Sequence, residues 1–145
     1  MIILLFYSKN IIVMNDIYQL SNTFIKSTAK NIQFDFYHRN QIILQIFKGY
    51  DVVNWRDKPN NVINNQIVFQ LLFNSGKDNN KLNLSNFKNS TLFNDFEYVN
   101  FYKQESYFYS VEIFDEIELV NYIEKIISSV YLFEIQKVDY TLKAY

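Results

Sequence analysis

His38 is the only histidine in the 145-residue chain. It lies in FDFYHRNQIILQIF, residues 34–47, with Asp35 three positions before it and Arg39 directly after it. Imidazole titrates near neutrality, so His38 and Asp35 have the residue types of a general acid–base pair, as a small nuclease or other hydrolase would need. Strand parity opposes that use. Ile32, Phe34 and Phe36 alternate with Gln33, Asp35 and Tyr37, and alternation resumes through Ile42, Leu44 and Ile46. Asp35 and His38 then have opposite parity and need not face each other. The HRN break is read as the tip of a β-hairpin, with His38 exposed there and no catalytic role expected of it.

Other chemistry is thinner still. The absence of cysteine excludes disulfides, thiolate metal sites and a cysteine nucleophile, and suits a reducing cytoplasm. The densest carboxylate run, Asp115, Glu116 and Glu118, has the spacing of a helix start, so no metal is expected there. Gly49 and Gly76 are the only glycines, too few to build a phosphate cradle, and no cofactor is expected. A formal charge of -1, from 14 basic and 15 acidic side chains, gives little attraction for nucleic acid. The YHR and WRDK segments do carry Tyr37, Trp55 and arginines, a weak stacking-and-charge combination.

Charge asymmetry is more informative. Eight acidic residues fall between Asp95 and Glu124, against one basic residue, Lys103. The same region holds Phe96, Tyr98, Phe101, Tyr102, Tyr107, Phe108 and Tyr109. Aromatic anchors among carboxylates suit a surface that binds a basic protein: rings supply affinity, and charge supplies steering and register. Glu97, Tyr98, Tyr102, Glu112, Glu116 and Glu118 are the expected partner-binding residues.

The elements that would carry these residues follow from periodicity. Ile17, Leu20 and Phe24 predict an amphipathic helix over about 16–28, with Asp16 and Gln19 at capping-box spacing. VINNQIVFQLLFN is apolar on both faces around 67–73, as a central strand is. The polar SGKDNNKLNLSNFKNS segment is expected to be a long mobile connection. Strands are expected at 96–102, 106–114 and 133–142. The clearest local pattern is FDEIELVNYIEKIISSVY. Asp115 caps it, Glu118 reaches back, Phe114 and Leu119 have staple spacing, and Leu119, Val120, Ile123, Ile126, Ile127 and Val130 form one stripe over 116–131.

The N-terminal MIILLFYSKNIIV is too short and broken for the roughly 18–20 apolar residues of a membrane span. A buried strand or a hairpin turning at Ser8 to Asn10 is expected, with a true start at Met14 as the alternative. The whole is read as one α+β domain over 1–145, a mostly antiparallel sheet of about five to six strands with two helices packed on it. Its size, catalytic bareness and acidic aromatic region fit a small inhibitor of immunity or antitoxin type that neutralises a basic toxin or secreted effector. A secretion chaperone or adaptor and a His38 hydrolase are the alternatives, and a homodimer is left open.

Overall fold

Strand β7 (Asp139–Ala144), the last in the chain, lies inside the sheet rather than at its edge. In the computed structural model of the protein, the described residues are 3–7, 13–74, 78–101 and 104–144. Among them are β1 (Ile3–Tyr7), β2 (Ile32–His38), β3 (Gln41–Lys48), β4 (Ile67–Asn74), β5 (Glu97–Phe101) and β6 (Gln104–Val111). With β7 they form one seven-stranded sheet in the order β1-β7-β2-β3-β4-β6-β5. Every neighbouring pair is antiparallel. The α+β class is therefore as the residue pattern predicts, with the N-terminal strand bringing the sheet to seven. The turn expected at Ser8 to Asn10 lies outside the described residues.

One face of the sheet carries the main core. Phe34 and Phe36 on β2, Leu44 and Ile46 on β3, Phe69 and Leu71 on β4, and Tyr140 and Leu142 on β7 are buried there. They meet Ile17, Leu20 and Phe24 of α1 (Val13–Lys26), while the single-turn α2 (Gly49–Val52) follows directly on β3. Leu119, Val120, Ile123 and Ile126 of α4 (Glu116–Ile126) close over the same face, and α1 packs against α4. Full burial of each such side chain contributes roughly 1.5–3 kcal/mol, so this stripe is what fixes α4 on the sheet.

Helix ends differ from expectation in informative ways. α1 begins at Val13, so Asp16 lies in its first turn instead of capping it. At α4 the cap is as expected: the Glu118 amide donates to Asp115 Oδ1 at 2.8 Å. The staple is not, because Phe114 is 74% exposed while Leu119 is fully buried. The predicted 116–131 helix divides into α4 and a π-helical turn, Ile127–Tyr131, which ends on Leu132 in a left-handed conformation. The last strand starts only at Asp139, after a 3-10 turn at Ile135–Lys137.

The segment expected to be a mobile connection instead contains a helix, α3 (Asp78–Lys88). Phe87 explains it. Its ring is fully buried between Phe73, Phe96 and Tyr107, at centroid distances of 5.7, 5.2 and 4.9 Å. Asn86 adds a side-chain hydrogen bond to the Val130 carbonyl. One deep aromatic anchor holds a helix whose other residues are mostly polar.

The hairpin at the opening histidine is a two-residue turn. Arg39 and Asn40 take φ of 51° and 62°, the left-handed pair that matches strand twist in a type I′ connection. His38 is half-buried rather than fully exposed, its ring 4.3 Å from that of Phe133.

Candidate functional site

Asp35 does lie on the sheet face away from the helices, as parity requires, yet it is 0% exposed. Register sets it in a row with Thr141, Gln45 and Gln70, one residue from each neighbouring strand. Gln33 Nε2 donates to both carboxylate oxygens at 2.8 Å, Gln45 Nε2 donates at 3.1 Å, and the Tyr37 hydroxyl lies 3.4 Å away. Lys143 Nζ completes the shell at 3.5 Å. A buried carboxylate so fully engaged holds strand register; its oxygens are occupied by donors from its own strand, β3 and β7. His38 rests against Phe133 instead.

The rest of that face is covered at one end by the 53–66 loop. Phe47, Val52, Val68 and Phe108 make a second small core there, with Trp55 packed edge-on to Phe47 at 4.9 Å and Phe108 at 6.1 Å. Glu97 is the tether. Its Oε2 accepts from the amides of Asn60 at 2.6 Å and Asn61 at 3.4 Å. Of the residues expected to bind a partner, Glu97 thus has an internal task.

The others divide similarly. Tyr98 is 51% exposed, with its ring 5.3 Å from Tyr107. Tyr102 lies outside the described residues. Glu105, counted in the acidic run, accepts from the Tyr107 hydroxyl at 2.9 Å; burial, then that bond, pushes the phenol pKa upward. Glu118 Oε2 accepts from the Phe114 amide at 3.4 Å. Glu112 is exposed and Glu116 half-exposed. The structure brings Glu112, Asp115, Glu116 and Glu118 together around the start of α4, while Glu97 and Tyr98 belong to edge strand β5.

Two residues absent from the expected set stand among those carboxylates: Phe114 and Ile117, 74% and 58% exposed. At the same end of β6, Ile63 is 51% exposed and its amide donates to Ser110 Oγ at 3.3 Å. Phe114 was legible only as a staple partner for Leu119, and that role is the one it does not fill.

A second feature occupies this end of the sheet. The sequence KGYD, residues 48–51, ties two connections together. Lys48 Nζ donates to the Ile25 carbonyl at 2.8 Å, and the Tyr50 hydroxyl donates to the Ala29 carbonyl. The Ile32 amide donates to Asp51 Oδ2 at 3.4 Å. On the other side the Gly49 amide donates to the Gln66 carbonyl at 2.7 Å. The Lys48 ammonium also lies 4.9 Å over the Phe24 ring, and burial lowers its pKa against the opposing effect of Asp51.

Beside this knot opens a cleft of about 620 Å³ lined by Lys30, Asn31, Tyr50, Asp51, Val53, Asn54, Trp55 and Asn64. Desolvation raises the Asp51 carboxyl to about 6, only partly offset by the Ile32 amide and Lys48. A half-dry carboxyl in a cleft is a recognised mark of a binding site. Sequence pattern pointed to Trp55 but not to Asp51, because nothing local announces that an aspartate in the single helical turn after β3 will be desolvated.

Among the described residues no group of three or more His, Asp or Glu side chains is arranged to hold a metal ion, and no helix is long and apolar enough to cross a membrane. No protein-family model, curated protein or solved structure matches the chain.

Proposed function

We propose that the chain is a non-catalytic binding module of immunity or antitoxin type, which neutralises a basic protein by capturing it at the end of the sheet where α4 begins. One observation carries the reading: Phe114 and Ile117 are exposed large apolar side chains, three positions apart, set among Glu112, Asp115, Glu116 and Glu118. Exposing Phe114 forgoes the stability its burial would give, and among the described residues no ring contact of Phe114 explains the choice. Apolar anchors inside an acidic rim are the composition that a basic partner selects: the apolar side chains desolvate at the centre, and the charges steer approach. A cytoplasmic setting belongs to the same proposal, since a chain without cysteine needs no oxidising compartment.

The test is affinity capture from the native host, with recovered proteins identified by mass and their binding kinetics measured. The expected partner is a folded basic protein. Phe114→Ala with Ile117→Ala should chiefly speed its dissociation, and Glu112→Lys with Glu116→Lys should slow its association and weaken the salt dependence. Glu118 is left intact because it holds the Phe114 amide. Equal kinetics in all variants would sink the proposal, and capture of an extended secreted chain would favour the adaptor instead.

A further inference from the structure

Asp51 has an unusual position for a carboxylate in a folded protein. Oδ2 accepts one long hydrogen bond from the Ile32 amide, and Oδ1 has no partner among the described residues. The nearest buried cation, Lys48, is committed to the Ile25 carbonyl and the Phe24 ring and forms no ion pair with Asp51. Lys30, exposed on the rim of the same cleft, does not pair with it either. The site therefore holds negative charge with spare acceptor capacity in a partly dry setting. An unpaired charge of this kind is costly until a counter-charge arrives.

The lining fits one kind of counter-charge best. Trp55 shares the cleft with Asp51, and its ring is fixed by edge-on packing against Phe47 and Phe108. Asn31 and Asn64 add neutral polar groups around the opening. A planar cation can meet a carboxylate through two parallel N–H groups and lie against an indole at the same time. A guanidinium does both, and it is weakly hydrated, so little is lost on leaving water. An ammonium is compact and strongly hydrated and gains less from either wall.

We propose that this cleft receives an arginine side chain of the basic partner, with the guanidinium paired to Asp51 and resting against Trp55. The inference rests on the protein-binding reading and adds a second contact to it. The cleft lies at the same end of the sheet as Phe114 and Ile117, where β3 ends, β4 starts and β6 ends. A partner that reaches across this end of the sheet would meet both.

Trp55 is the only tryptophan in the chain, so its fluorescence reports on the cleft without labelling. The native protein is titrated at constant ionic strength with N-acetyl-arginine methylamide, with the lysine analogue, and with the uncharged citrulline analogue. The arginine derivative should give a saturable change at concentrations on the order of millimolar. The lysine analogue should bind several-fold more weakly, and citrulline should give no saturation. In Asp51→Asn, which keeps an acceptor for the Ile32 amide, arginine affinity should fall roughly tenfold or more. A single cooperative thermal melt would show that the variant is folded. No saturation with arginine, or the same curve with citrulline or with Asp51→Asn, overturns the proposal. The titration contains no partner protein. Failure here leaves capture through Phe114 and Ile117 standing, and saturation here with no partner captured would refute the protein-binding reading alone.

Discussion

Gly49 lies so close to Ile63 that a β-carbon built on it would stand 2.0 Å from the Ile63 carbonyl oxygen. The Gln66 and Asn64 carbonyls, at 2.9 and 3.0 Å, close the remaining directions. All three obstacles are backbone, and the Gly49 amide is itself bonded to Gln66. Gly49→Ala must therefore displace the 63–66 segment from the end of β3. The expected loss is about 3 kcal/mol, at the upper end for overpacking, read from urea melts. Trp55 fluorescence should shift with it, because the same loop seats the indole.

Asp35 and His38 should respond very unequally to truncation. Asp35→Ala leaves Gln33, Gln45 and Lys143 facing an empty buried position, and a loss of about 3–5 kcal/mol is expected. His38→Ala removes a ring contact with Phe133 at a hairpin turn and should cost about 1 kcal/mol. Denaturant melts of both variants check the order; a larger effect at His38 would give that residue a role the hairpin does not require.

Asp51 gives stability a specific dependence on pH. Its folded carboxyl titrates at about 6, raised from an ordinary value of 3.8. Between those values the folded state binds more protons at this site than the unfolded state. Its contribution to stability therefore rises as pH falls through about 6 and levels off below the ordinary value. Lys48 opposes the shift at Asp51 without cancelling it. Melts of the native protein and Asp51→Asn at pH 7.5 and 5 should show the variant relatively more stable at the higher pH. A constant difference between them would contradict the desolvation of Asp51.

The two ends of the helical segment made by α4 and its π-turn should shift stability in opposite directions. Asp115→Ala loses the bond to the Glu118 amide and should cost about 1 kcal/mol. Leu132 ends the helix at φ 59° with 67% of its surface exposed, a conformation that crowds its β-carbon while its side chain buries little. Leu132→Gly should gain about 1 kcal/mol. Thermal melts decide both. A destabilised Leu132→Gly would indicate that the leucine packs more than its exposure implies.

Legibility in the sequence followed the range of the forces involved. The α4 cap and stripe, the 32–48 hairpin and the apolar β4 are set by neighbours within a few residues, and their pattern is visible in one dimension. α3 was not, because its formation depends on Phe87 finding Phe73, Phe96 and Tyr107 from other elements. Parity correctly turned Asp35 away from the helices but could not show that side chains from β2, β3 and β7 would bury it. At the candidate site the acidic residues were visible, whereas their division between internal and free was not. Glu97 and Glu105 are engaged by groups brought near by folding, and Phe114 is released because its staple does not form.

The position of β7 between β1 and β2 has a consequence for synthesis. The sheet cannot close in the order in which the chain emerges. Among the described strands β1 precedes all the others, yet its neighbour there, β7, follows them all, and one edge of β2 waits for the same six residues. Until residues 139–144 leave the ribosome, β1 is left without its β7 partner and one edge of β2 stays open, and both can recruit strands from other chains. Premature termination even slightly before Asp139 would make that condition permanent. It would remove the strand that joins the first element of the fold to the rest, along with Tyr140, Leu142 and the lysine that balances Asp35.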